Sequence, residues 1–125
     1  MFNSFISFAA LIAALFLAAC ALPDRSDPGA FTSYRQGEIP LPRVPAFTDC
    51  VMDGFTKAKW IGSSLTMRQQ RRALGVRVET SVDAKPAALA SADIFDDGRV
   101  ELFERKHFQM LDERAAFDAC LERFR

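Results

Sequence analysis

Side chains that commonly carry catalysis or bind metals are scarce in this sequence. The 125 residues include a single histidine, His107, and three cysteines. A lone histidine with no cysteine or carboxylate at ligand spacing does not make a zinc site. Ser63 and Ser64 lack the Gly-x-Ser-x-Gly surroundings of a hydrolase nucleophile. We therefore assign no catalytic residue, no metal site and no cofactor, and we expect the protein not to be an enzyme.

Net charge is also absent. The sequence balances 16 basic against 16 acidic residues, and no charged side chain lies within residues 1–20. A neutral chain has no general electrostatic attraction to nucleic acid, so we expect no nucleic-acid partner. One group of carboxylates could act as an acid and base pair in glycoside hydrolysis. They alternate around a turn, where solvated charge and turn chemistry explain them, and they are Asp93, Asp96, Asp97, Glu101 and Glu104.

An uncharged apolar run opens the chain. It extends from Phe5 to Ala19, is interrupted only by Ser7, and ends in Leu17-Ala18-Ala19-Cys20. This tetrapeptide resembles the lipobox of bacterial lipoproteins, in which a leucine, two small residues and a cysteine mark where the leader is removed and a lipid is attached. The resemblance covers residues 1–20 alone. It implies a signal peptide over residues 1–19, cleavage between Ala19 and Cys20, and a membrane anchor on Cys20.

An uncleaved membrane anchor is the alternative interpretation of this run. Phe5 to Leu22 is 18 residues long with one serine, which just suffices to span a bilayer. The start, Met1 to Ser4, also lacks the Lys or Arg that a signal peptide normally carries. Both interpretations place residues 24–125 outside the cytoplasm. Ala21 follows Cys20 where enterobacterial lipoproteins retained at the inner membrane have Asp, and this resemblance implies a periplasm-facing protein at the outer membrane.

If Cys20 carries the lipid, an even pair of cysteines remains. Cys50 and Cys120 would then lie in an oxidising compartment, where disulfides form and persist. Both fall on the apolar faces of predicted helices, beside Phe47 and Phe117 respectively. Two such faces buried in one core would bring the sulfurs together, so we predict a Cys50–Cys120 disulfide. Two buried free thiols are the alternative, because cysteine packs well as a small hydrophobic residue.

Five of the six prolines lie within residues 21–45. Proline at this density prevents helix and weakens sheet, so we interpret residues 20–45 as the anchor cysteine and an extended tether. The remaining residues, 46–125, are then one small domain.

Helical spacing of apolar residues marks both ends of this domain. Phe47, Cys50, Val51 and Phe55 predict an amphipathic helix over residues 46–59. Gly54 on its apolar face either weakens the helix or permits a close approach by a neighbouring element. The closing helix is predicted over residues 112–124 from one further stripe of side chains, Phe117, Cys120, Leu121 and Phe124.

Strand patterns fill the middle of the domain. Val76, Val78 and Thr80 alternate with Arg77 and Glu79, which predicts a half-buried strand. Residues 89–95 and 99–105 predict a hairpin about Asp96-Asp97-Gly98, because Asp-Gly suits tight turns. Residues 60–75 are compatible with a short helix or with an edge strand. The expected fold class is α+β: an antiparallel sheet of three to four strands with two helices packed on one face, in the order α-β-β-β-α.

A partner surface is the remaining candidate site. Arg68, Arg71 and Arg72 form the most basic stretch of the chain, and Trp60 is a candidate aromatic anchor. A solvated face and a core tryptophan are the alternatives. We therefore expect a structural or protein-interaction role in the cell envelope. A module that binds cell-wall polymer or inhibits an envelope enzyme is the alternative function, and a concave pocket holding the arginines would favour it.

Overall fold

The computed structural model describes residues 25–27, 29–82 and 87–125. The signal peptide, its cleavage site after Ala19 and the anchor at Cys20 were predicted from residues that lie outside these ranges.

The described residues fold into one antiparallel sheet of six strands with two helices. The strands are β1 (Phe31–Glu38), β2 (Lys59–Trp60), β3 (Ser63–Arg72), β4 (Gly75–Val82), β5 (Ala88–Phe95) and β6 (Arg99–Arg105). Helix α1 (Val44–Thr56) follows a short 3-10 turn (Leu41–Arg43), and helix α2 (Leu111–Phe124) closes the chain. The strands lie side by side in the order β1-β6-β5-β4-β3-β2.

The expected fold class is wrong in strand number and element order. The expected three to four strands in the order α-β-β-β-α are replaced by six strands, of which the first precedes both helices. The extra first strand, β1, lies inside the proline-rich stretch that we interpreted as a tether. Its prolines stand outside the strand, at Pro28 and Pro40, so they do not interrupt its backbone pairing with β6.

The central hairpin is confirmed. Strands β5 and β6 pair antiparallel, from Ala90 against Glu104 to Ile94 against Val100. Gly98 in the connecting turn has a φ of 93°, a conformation that favours glycine. Residues 63–72, which the sequence left open between helix and strand, form β3, and its residues from Leu65 to Arg72 pair with β4.

Both helices pack on one face of the sheet and enclose the core. Phe47 and Phe117 are fully buried and meet edge to face, with ring centroids 5.8 Å apart. The helices approach closely at Gly54, where an added Cβ would lie 2.5 Å from the Cβ of Ala116. Gly54 therefore permits the close approach that its place on the apolar face indicated.

The predicted disulfide is confirmed. Cys50 of α1 and Cys120 of α2 are bonded, with Cα atoms 5.9 Å apart and a sequence separation of 70 residues. The bond joins the two helices where their apolar faces meet. It therefore closes a loop that contains most of the sheet.

Polar contacts fasten the edge strand β1 to α2. The Tyr34 hydroxyl donates to Asp118 (2.8 Å), which also accepts from Arg35 (2.8 Å). The hydrogen bond to Asp118 raises the pKa of Tyr34, because it stabilises the protonated phenol. The guanidinium of Arg114 lies 4.5 Å from the centre of the Tyr34 ring and binds Glu104 of β6 through two hydrogen bonds. Side-chain contacts with α2 therefore hold β1, an edge strand with little apolar content, and Arg114 links this contact to β6.

Candidate functional site

The sheet has a second face that the helices do not cover. Strand alternation and register assemble on it a band of polar side chains with one aromatic ring. We call this band the polar face, and it consists of Arg68, Arg77, Glu79, Ser91, Asp93, Glu101 and Phe103. Although no helix lies over it, Ser91 is fully buried, and Glu79 and Asp93 are 7% and 9% exposed. Such burial means that these groups are covered by one another and by a neighbouring chain segment.

Arg25 provides part of the cover over the polar face. Its guanidinium donates to Ser91 Oγ (3.2 Å) and binds the Asp93 carboxylate (2.5 Å). Arg77 binds the same carboxylate from the other side, with Nε 2.7 Å from Oδ1. The side chains of both ion pairs are only 12–14% exposed, so water screens them weakly. Asp93 is therefore held between two arginines, and the three groups carry one net positive charge.

Two aromatic rings also contact the Arg25 guanidinium. Its guanidinium carbon lies 3.7 Å from the centre of the Phe103 ring and 5.5 Å from that of Phe31. Contacts of a cation with the face of an aromatic ring are favourable, and more so where water is excluded. The chain just before β1 is thereby fixed across the middle of the sheet.

The carboxylates of the acidic hairpin do not converge on a shared cavity. Asp93 binds the two arginines, and Glu101 accepts from Ser33 and Gln36 of β1. The other three pair separately with arginines: Asp96 with Arg71, Asp97 with Arg99, and Glu104 with Arg114. Bonds from the backbone N–H and side chain of Arg99 lower the pKa of Asp97. Ion pairs and hydrogen bonds therefore account for these carboxylates, and Asp93 and Glu104 are buried, unlike the solvated charge that the sequence pattern led us to expect.

The predicted partner residues do not form one surface. Arg68 lies half-buried on the polar face, where it pairs across the strands with Glu79. Arg71 lies on the opposite face of β3 and binds Asp96 (2.9 Å). Trp60 pairs with Ser63 at the start of β3, and Arg72 lies at the end of that strand. A strand of ten residues separates the two by roughly 30 Å. Strand geometry therefore divides the arginines between two faces and distances them from the tryptophan.

Two shallow grooves lie at one end of the polar face, on either side of Phe95. One has a volume of about 260 Å³ and includes Arg72, Leu74 and Arg77 in its lining. The other, of about 280 Å³, lies between β1 and β6 and includes Gln36 and Arg99. Leu74, in the turn between β3 and β4, is 67% exposed. We call this the distal end, since β1 begins and the chain enters the sheet at the opposite, proximal end.

His107 and the two serines show no chemical partnership. His107 is exposed with a φ of 74°, and Ser63 and Ser64 are exposed at the start of β3. Within residues 25–27, 29–82 and 87–125, no group of three or more potential ligands could hold a metal ion.

Glu113 is the one fully buried carboxyl that lacks a full set of partners. Its Oε2 accepts from the Thr80 hydroxyl (3.0 Å), and its Oε1 has no hydrogen-bond partner in the described part of the chain. Desolvation raises the pKa of Glu113, because burial penalises the charged carboxylate. No groove reaches the group among those described, so it bears on stability.

Glu113 should make folding less favourable as the pH rises. The folded protein keeps the proton that the unfolded chain loses near about pH 4.3, so the free energy of unfolding falls from there up to the raised pKa. Glu113→Gln cannot ionise, so it should lack this decline, and its stability relative to the wild type should increase as the pH rises over that range in urea titrations. Glu122→Gln, at a side chain 55% exposed, is the matched control and should retain the wild-type slope. An unchanged slope in Glu113→Gln would contradict this assignment.

Sequence reasoning missed Arg25 and the role of Asp93. Arg25 fell in the predicted tether, and Asp93 was grouped with the turn carboxylates. Ser91 and Asp93 do alternate with Ala90, Ala92 and Ile94, which is the signal of a second, polar face. The pairing with Arg25 spans 68 positions and has no local signal.

No protein-family model, curated protein or solved structure matches the chain. Over the residues that the structure describes, neither helix is long and apolar enough to cross a membrane.

Proposed function

We propose that this protein is a periplasm-facing lipoprotein, anchored through Cys20, with a structural or protein-interaction role in the cell envelope. The disulfide carries the proposal. It uses Cys50 and Cys120, which leaves Cys20 as the one cysteine outside the pair, at the end of the apolar run. Structural disulfides belong to oxidising compartments such as the periplasm, which is where a lipobox would deliver the domain.

The distal end supports an interaction role. Exposed Leu74 and half-buried Phe95 adjoin the two grooves, with Arg72 and Arg99 at their margins. Aromatic and arginine side chains are enriched at protein-binding surfaces, and exposed Leu74 adds apolar area beside them. The grooves are small and shallow, and the arginines Arg68 and Arg71 face opposite sides of the sheet. These features favour a protein contact over a cleft that binds an extended polymer.

Cys20→Ala tests the anchor. Cells grown with an alkyne fatty acid should label the wild-type protein and the double variant Cys50→Ala/Cys120→Ala. They should not label Cys20→Ala, which should accumulate as an uncleaved precursor about 2 kDa heavier than the mature chain, since residues 1–19 remain attached. Labelling and processing that persist in Cys20→Ala would refute the lipoprotein assignment.

The same cells can test the interaction role. A photo-crosslinking amino acid at Leu74 should give a discrete adduct with an envelope protein. The control position is Ala119, which is exposed on α2, and it should give none. Equal adduct patterns at the two positions, or no adduct at any distal position, would contradict a specific interaction there.

A further inference from the structure

The proximal end of the domain carries an exposed apolar cluster. It is formed by the turn between β2 and β3 and by the chain that leads from β6 into α2. We call it the apolar tip: Trp60, Ile61, Phe108 and Leu111. Ile61 and Leu111 are 83% and 64% exposed, and the half-buried rings of Trp60 and Phe108 lie 5.4 Å apart. The backbone N–H of Lys59 donates to Asp112 (2.8 Å), which joins the two segments of the tip.

The backbone conformation of Ile61 costs free energy in the folded protein. Ile61 has a φ of 50° and the following Gly62 a φ of 74°. Glycine and asparagine suit such a turn, whereas a β-branched residue is strained there. Ile61 thus has a strained backbone and is also the most exposed large apolar residue described. This combination indicates that Ile61 does more than stabilise the fold.

Strand β1 begins at the same end of the sheet as this tip, while Arg25 before it lies over the middle of the polar face. The carbonyl of Ala30, just before β1, accepts from the N–H of Lys106, just after β6. Antiparallel pairing places the turn at Ile61 and Gly62 at this end of the sheet as well. The start of α2 joins it there, because the N–H of Met110 donates to Glu104 near the end of β6 (2.7 Å).

Chain length keeps the domain close to its anchor. Cys20 precedes Arg25 by five positions, and Arg25 is fixed to Ser91 and Asp93. Five residues span at most about 18 Å when fully extended. This reach is shorter than strand β5, whose eight residues measure about 26 Å. An acyl chain on Cys20 would therefore hold the domain against the bilayer.

We propose that the apolar tip inserts into the headgroup region of the bilayer to which Cys20 is anchored. This inference rests on the proposed function. Exposed lysines flank the tip, Lys59 on one segment and Lys106 on the other, at a position to meet lipid phosphates. Tryptophan is enriched at membrane interfaces because its ring is apolar and its N–H is polar. The tip and the acyl chain together make two contacts, which fix the orientation of the domain and present its distal grooves away from the membrane.

Trp60 is the only tryptophan, so its fluorescence reports on the tip. The full-length protein, purified from membranes, is reconstituted into vesicles of phosphatidylethanolamine and phosphatidylglycerol, with or without bromine on the acyl chains. Brominated lipid should remove about half of the wild-type emission, since a tryptophan at the interface lies near the quencher. The double variant Ile61→Asn/Leu111→Asn should lose most of this quenching, and asparagine suits the positive φ at Ile61, so the turn remains folded.

Leu41→Asn/Leu74→Asn is the matched control. Both leucines lie at the distal end and are 60% and 67% exposed, so the change in polarity is the same and quenching should stay at the wild-type level. Mass spectrometry of each sample reports the lipid on Cys20 independently. A lipidated wild type with unquenched Trp60, or equal quenching in the two double variants, overturns the tip while the lipoprotein assignment stands. A chain without lipid on Cys20 overturns both.

Discussion

Replacing Cys50 and Cys120 together by alanine should lower the free energy of unfolding by about 4 kcal/mol. The disulfide closes a loop with a sequence separation of 70 residues, and a cross-link of that span removes about this much conformational freedom from the unfolded chain. Small domains have a total stability of about 5–15 kcal/mol. The loss is therefore a large fraction of the total, and the variant should unfold at a clearly lower urea concentration than the wild type.

Urea unfolding followed by circular dichroism measures this loss. The wild-type protein treated with a reductant should match the double alanine variant, because both lack the cross-link. Cys20→Ala is the control that removes a cysteine without touching the bond, and its midpoint should equal that of the wild type. A difference below about 1 kcal/mol between the oxidised and the double-variant protein would show that helix packing alone holds α1 against α2.

Arg114→Met should cost about 3 kcal/mol, because it leaves a buried charge without its partner. Glu104 is 5% exposed and accepts from Arg114 at 2.6 and 2.8 Å, and from the Met110 N–H at 2.7 Å. The hydrogen bonds from Arg114 to Glu104 raise the pKa of the arginine, because they stabilise its charged form. Methionine keeps the unbranched stem of the side chain, while it removes the guanidinium with its charge and its contact with the Tyr34 ring.

Two further variants separate charge burial from general damage to α2. Arg35→Met breaks an ion pair with Asp118 whose side chains are each 33% exposed, and it should cost much less, because water screens that pair. The double variant Glu104→Leu/Arg114→Met should recover most of the loss, since neither charge is then left alone. Thermal and urea unfolding of these four proteins compares the losses, and the single variant Glu104→Leu completes the cycle that gives the coupling energy. A double variant as unstable as Arg114→Met would disprove the charge-burial explanation.

Local sequence patterns were sufficient for the helices, the central hairpin and the disulfide. Each depends on signals within about a dozen residues: the spacing of Phe117, Cys120 and Leu121 on α2, or Asp97-Gly98 in the turn. The pairing of Cys50 with Cys120 followed because both cysteines lie on apolar helix faces that share one core. The alternation of Arg77 and Glu79 with valines also indicated a polar face on the sheet.

Strand β4 was also predicted, whereas β1 was missed and β3 was left open between helix and strand, because partners remote in sequence stabilise these two. Strand β1 has no run of apolar side chains and depends on backbone bonds to β6 and on Tyr34 and Arg35, which bind Asp118 more than 80 positions away. Strand β3 exposes most of its side chains, so its burial pattern lacks clean alternation. The contact between Arg25 and Asp93 was missed for the same reason, since folding brings these two residues together from distant positions in the sequence.

The shortness of β2 has a consequence for how copies of this protein behave when crowded. Its two residues pair only with Ser63 and Ser64, so the rest of the outer edge of β3 has no strand neighbour in the described part of the chain. Unoccupied strand edges invite sheet-to-sheet aggregation, and charged side chains are a common defence. Exposed Arg72 lies at the end of this edge. An acyl anchor would confine many copies to two dimensions, where this charge opposes the addition of one edge to another.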